Sequence, residues 1–109
     1  MIQEKLVKMM SNIQASLLSC FRISQLIDQN RATMGQIAMC KAFVTSSARD
    51  VVKWGREVFG GNGIIHEHYA MKAMMDLEAV YTYEGTYDIN TLVAGRELTG
   101  LSAFKGGKN

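Results

Sequence analysis

The sequence predicts an all-α fold, an up-down helical bundle. Three observations predict it: apolar residues recur at steps of three and four through most of the chain, proline is absent, and glycines gather where the periodic runs stop. With 109 residues, 48% of them hydrophobic and 20% charged, the chain makes one globular domain with no room for a second.

The first helix is expected from about residue 4 to 29, where Leu6, Met10, Ile13, Leu17, Phe21, Ser24 and Ile27 mark one face and "DQNRAT" ends it. Its basic, amphipathic opening resembles a transit peptide, but Glu4 and the unbroken apolar period into "QLIDQN" favour a bundle helix. A second run, Ile37, Cys40, Val44, Ser47, Val51, Trp54 and Val58, stops at Gly60 and Gly61, where glycine supplies a left-handed cap. The two runs should lie antiparallel. A shorter helix is expected over "HEHYAMKAMMDL", then a loop at "YTYEGT", then a fourth helix from near Tyr87 to about Thr99.

Eight methionines are read as soft core filling, and Cys20 and Cys40, with no C-x-x-C spacing, as small buried hydrophobes without disulfide or metal roles. Helices this few leave apolar edges uncovered in a chain of this size, so self-association or a missing neighbour is expected. The 12 basic and 10 acidic residues are dispersed, with no basic run to follow a phosphate backbone, so nucleic acid is not an expected partner. Nor is a membrane, because Lys5, Lys8, Arg22, Asp28, Lys41 and Arg49 interrupt every apolar stretch short of the roughly 18–20 residues a span requires.

Three segments are candidates for chemistry. "HEHYA" begins like a zinc-protease helix but has Ala70 where the second histidine belongs, and no metal site is expected there. "GREVFGGNGII" places three glycines in four positions without a preceding strand, which suits a helix cap and turn or a close backbone approach to a phosphate or flat ring. In "VYTYEGTYDIN", Thr86 is placed to cap a helix whose first turn holds Asp88 and whose free amides could receive an anion. Glu84, between Tyr83 and Gly85, reads either as a solvated loop carboxylate or as a base in a partly desolvated aromatic pocket.

"REVFGGNGI", followed about twenty residues later by "VYTYEGTYDIN" and then "GRELTG", resembles the acyl-CoA dehydrogenase family over nearly the whole chain, from the first helix through "LTGLSAFK". The similarity is closest to the branch holding glutaryl-CoA dehydrogenase and the plant-type short-chain acyl-CoA oxidase. It implies an FAD enzyme that dehydrogenates an acyl-CoA thioester across its α and β carbons, with electron-transfer flavoprotein or dioxygen as the electron acceptor. Glu84 falls on the family's catalytic base, its backbone amide on a donor to the thioester oxygen beside a flavin ribityl hydroxyl, and Gly85 on a substrate contact. Thr86, Tyr87 and Asp88 fall on FAD contacts. Gly60 and Gly61 fall on a turn that reaches the FAD of a neighbouring subunit, which implies a homo-oligomer, a dimer or tetramer. Glu57 stands where many members carry a glutamine near the cofactor, and Arg96 matches an arginine of the substrate side, an ion pair at a helix end being its other reading.

The resemblance also implies an N-terminal helical domain, a middle β domain and one earlier bundle helix, none of them among these 109 residues. The chain is therefore expected to be a fragment or truncated product that neither turns over nor holds FAD by itself. A non-catalytic helical association module is the alternative. Compartment is left open, as mitochondrial matrix, peroxisome or bacterial cytoplasm, although the terminal "GGKN" is no S-K-L signal.

Overall fold

A computed structural model describes residues 1–65 and 67–102, and everything regular in that span is helical. Helix α1 (Ile2–Asp28) is followed by α2 (Met34–Val58), a short 3-10 turn (Gly60–Ile64), α3 (Tyr69–Thr82) and α4 (Tyr87–Thr99). Asn30 ends α1 in the left-handed conformation (φ 55°), a shape asparagine tolerates better than most residues. Thr33 opens α2 through a capping box: its hydroxyl accepts the Gln36 amide (3.2 Å), and the Gln36 side chain accepts the Thr33 amide (3.0 Å). At the far end, Gly60 (φ 59°) supplies the left-handed cap anticipated there.

Helix α2 is the shared support. Helix α1 runs antiparallel to it, with Lys5 paired to Glu57 (3.1 Å) and Lys8 over the Trp54 ring (5.9 Å). Helices α3 and α4 follow one another back along α2. Arg49 meets Glu78 and Lys41 meets Tyr83 on the α3 side, while α4 closes with Glu97 against the start of α2. The buried residues are small: Ala38, Ala42, Thr45 and Ser47 on α2, and Ala94 facing them from α4, with Leu26 from α1.

Four expectations are corrected by this packing. The apolar row of α1 does not face α2: Leu6, Met10, Ile13, Leu17 and Phe21 are exposed, Phe21 keeping 65% of its surface. The side of α1 with the least exposure carries Met9, Ala15, Ser19, Ile23 and Leu26, and this side is turned to α2. Methionine does not fill the core, since Met10, Met34, Met39 and Met75 are all exposed. Cys20 is exposed rather than buried. Cys40 is half-buried, and burial together with the neighbouring Cys20 sulfur pushes its thiol up.

The third helix also lies further along the chain than 66–77. His68 is its N-cap, His66 falls outside the described residues, and Tyr81 and Thr82 belong to its last turn. Tertiary contacts hold that turn against the modest helix propensity of "VYT". The Arg49 guanidinium reaches from α2 over the Tyr81 ring (4.6 Å), and the Tyr87 ring of α4 stacks on the same ring (5.7 Å).

The tie between α4 and α2 is electrostatic as well as steric. The Glu97 carboxylate accepts the Thr33 hydroxyl (2.5 Å) and the Gly35 amide (2.7 Å), placing negative charge at the positive end of α2. A methyl group on Gly35 would overlap that carboxylate. Glu97→Ala is expected to lower stability by about 1 kcal/mol, as loss of a helix cap does. Gly35→Ala should act through the same contact, so the double variant loses less than the sum in urea unfolding; strict additivity would show that the two do not share it.

Candidate functional site

Residues 83 to 86 join α3 to α4. Tyr83 is extended (φ −78°, ψ 160°), Glu84 and Gly85 are both left-handed (φ 56° and 100°), and Thr86 returns to extended geometry as the α4 N-cap. A left-handed glutamate costs roughly 1–2 kcal/mol, so the surroundings must hold it. They do so through backbone carbonyls. The Lys41 ammonium donates to the carbonyls of Tyr83 and Gly85 (2.7 Å to Gly85) and sits over the Tyr83 ring (5.3 Å). The Asn90 side chain donates to the carbonyls of Gly85 (2.9 Å) and Thr86 (3.1 Å).

Among the described residues no side chain bonds the Glu84 carboxylate, and Glu84 is exposed. The partly desolvated pocket considered from the sequence is therefore not made by these residues. The groups beside Glu84 are backbone carbonyls, the Lys41 ammonium and the Asn90 carboxamide, and any cover must come from outside the described residues. At Gly85 a side chain is disfavoured twice, by the left-handed backbone and by the Asn90 carboxamide, which lies 3.3 Å from where its Cβ would be and would have to shift.

Thr86 caps α4 by accepting the Ile89 amide (3.2 Å), and its carbonyl accepts the Asn90 amide (2.9 Å). The Tyr87 and Asp88 amides are thereby left at the open end of the helix, where an anion would be favoured. The Tyr87 ring is stacked on Tyr81 (5.7 Å between centroids, 12° between planes), and Arg49 covers the other partner of that stack while donating to Glu78 (2.6 Å).

Glu57, Gly60 and Gly61 are elsewhere. Lys41 and Glu57 are separated by sixteen positions of one helix, which at 1.5 Å per residue is roughly 24 Å. Within one chain the glycine turn and the Glu84 loop are therefore separate places. Among the described residues no atom beyond the chain neighbours lies within 4 Å of a Cβ built on Gly60 or Gly61, so their backbone is open to close approach by a flat or phosphorylated group. Glu57 is instead occupied by Lys5, whose hydrogen bond holds its carboxyl below the ordinary carboxylate range. Arg96 is exposed in the last turn of α4, its carbonyl accepting the Gly100 amide (2.8 Å), and lies at the Glu97 end rather than beside the loop. An open apolar groove of about 770 Å³ between α1 and α2, lined in part by Leu18, Met39 and Phe43, touches none of these residues.

Lys41, Asn90 and Glu97 were not singled out by the sequence. Lys41 meets residues 42 and 44 positions away, which no local pattern signals, whereas the T-x-x-Q of the α2 capping box was available at Thr33.

A family model described as acyl-CoA dehydrogenase, C-terminal domain, matches residues 1–99. The crystal structure of glutaryl-CoA dehydrogenase from Mycobacterium smegmatis is similar with a TM-score of 0.89 and 31% identity, over 94% of this chain and 27% of that one. A crystal structure of a glutaryl-CoA dehydrogenase from the same organism in complex with FADH2 is similar with a TM-score of 0.88 and 31% identity, over the same shares. The chain thus spans about a quarter of the length of these relatives.

Because the Glu57 carboxyl is depressed in the fold, its pairing with Lys5 stabilises the α1–α2 contact at neutral pH and is lost as pH falls through that lowered value. Raising the pH from 7 to 9 should leave it intact. Carboxyl titration by NMR is expected to show Glu57 returning to the ordinary range in Lys5→Met; an unmoved titration would show that Lys5 is not the cause.

Proposed function

The chain belongs to the acyl-CoA dehydrogenase family, as that family's C-terminal helical domain, and from this premise we propose that Glu84 is the catalytic base for α,β-dehydrogenation of an acyl-CoA thioester of the glutaryl-CoA dehydrogenase kind. The observation that carries the reading is the loop itself. A carboxylate that no described side chain occupies stands on a left-handed backbone, braced on both flanks through the Tyr83 and Gly85 carbonyls. Strain held in place by surrounding structure is characteristic of functional positions.

In this reading the Glu84 carboxylate removes the α-proton and keeps it, while the Glu84 amide donates to the thioester oxygen on which negative charge develops. Gly85 keeps the space beside the thioester clear. The Thr86 cap and the Tyr87 and Asp88 amides receive an anionic or polar part of the cofactor, and the Tyr81 stack keeps Tyr87 in place. The residues present fit FAD at the glycine turn, where the open backbone of Gly60 and Gly61 admits it. FAD, when bound, supplies the acceptor for the hydride that leaves the β-carbon. Glu57, being held by Lys5, contributes its charge to α1 first and to a cofactor only secondarily.

The separation of about 24 Å along α2 supports a site assembled between copies, the Glu84 loop of one working with the glycine turn of another in a dimer or tetramer. Arg96 is assigned to the substrate side on the resemblance alone. Electron-transfer flavoprotein and dioxygen both suit the chemistry as acceptors, the second making the enzyme an oxidase of the same family. A different reading, a helical association module without chemistry, is favoured by the exposed apolar row of α1.

Glu84→Gln in the intact flavoenzyme that carries this domain separates the readings. It should leave FAD content unchanged and slow exchange of the thioester α-proton by about 10²–10⁴-fold, the usual worth of a general base. Exchange at the parental rate would remove Glu84 from the mechanism.

A further inference from the structure

We infer that Lys41 is a positioning residue for Glu84, an assignment that rests on reading Glu84 as the base. Lys41 lies in the second turn of α2, half-buried, and among the described residues no carboxylate pairs with it. Its ammonium spends its donors on two backbone carbonyls, those of Tyr83 and Gly85, one on each side of Glu84. Desolvating an ammonium for neutral acceptors is a poor way to strengthen a surface helix. It is an effective way to fix a turn, because one ammonium donating to two carbonyls ties two peptide planes to a single point.

The turn needs fixing. Glu84 and Gly85 are consecutive left-handed residues, and the glutamate gains nothing from that backbone by itself. Released from its ties, the segment would relax toward ordinary backbone angles and carry the Glu84 carboxylate and amide with it. Asn90 also braces the Gly85 carbonyl, but from α4, the helix the loop leads into. Lys41 ties the loop to α2, the helix on which α1, α3 and α4 all rest, and its ammonium also lies over the Tyr83 ring. The base is thus referenced to the most supported element of the fold rather than to its own loop, as a group that must stay within a fraction of an ångström of its target requires.

The test uses the intact flavoenzyme, with α-proton exchange and kcat expressed per bound flavin. Glu84→Gln provides the reference for a lost base. Lys41→Met, which keeps the stem but removes every donor, is expected to lower both rates about 10–100-fold with KM for the acyl-CoA little changed. Lys41→Arg and Lys41→Gln, each retaining some donors, should fall between it and the parent. Amide hydrogen exchange over residues 83–86 should speed up in the same order, while the rest of α2 is unaffected. Parental rates per flavin in Lys41→Met, or a loss confined to flavin content and melting temperature, would overturn the assignment and leave the Glu84 reading intact. Should Lys41→Met not fold, Lys41→Gln carries the test, and parental rates or unchanged loop exchange there overturn it equally. Retention of exchange in Glu84→Gln would instead remove the base reading itself.

Discussion

Three helices rest on α2 and barely on one another, so the course of that one helix decides where everything else in the molecule stands. Helix α1 is set by charge and ring contacts at Lys5, Lys8, Trp54 and Glu57. Helix α3 is set at Arg49 and Lys41, and α4 by the grip of Glu97 on the first turn of α2. These contacts are polar, but they work because the seam beneath them is made of alanine, threonine, serine and glycine. Side chains that small let backbones come close enough for short polar bridges to reach.

Function follows the same axis. One end of α2 carries an open glycine turn, and near the other end α2 holds the loop that presents Glu84. The two places stand apart by most of the length of a helix, which is why the proposed reading joins them through a second copy, and the apolar row of α1 is left uncovered.

Much of the fold was legible in the sequence, and the reasons are local. The 3–4 period located α1 and α2, Gly60 ended α2 because glycine alone enters the left-handed region without penalty, and Thr86 began α4 as a capping hydroxyl should. Periodicity failed where it had to choose between faces. Leu6, Met10, Ile13, Leu17 and Phe21 form the more apolar row of α1, yet the face with Met9, Ile23 and Leu26 packs on α2, and a period alone does not say which of two apolar faces meets a given neighbour. The extra turn of α3 at Tyr81 and Thr82 depends on Arg49 and Tyr87, which lie on other helices. The candidate site divides in the same way. Glu84, Gly85 and Thr86 were singled out as candidates through their local motif, while the lysine beneath them sits more than forty positions earlier and left no mark on it.

The small-residue seam changes how this molecule would answer genetic probing. Systematic replacement by alanine, the usual way to find what matters in an interior, would be nearly silent along Ala38, Ala42 and Ala94, since it leaves them as they are. Added bulk is the informative perturbation: a leucine at any of these points would wedge two helices apart and shift contacts far from the point of insertion. In this architecture tolerance should therefore track volume rather than polarity, with a serine accepted where a larger and oilier side chain is refused.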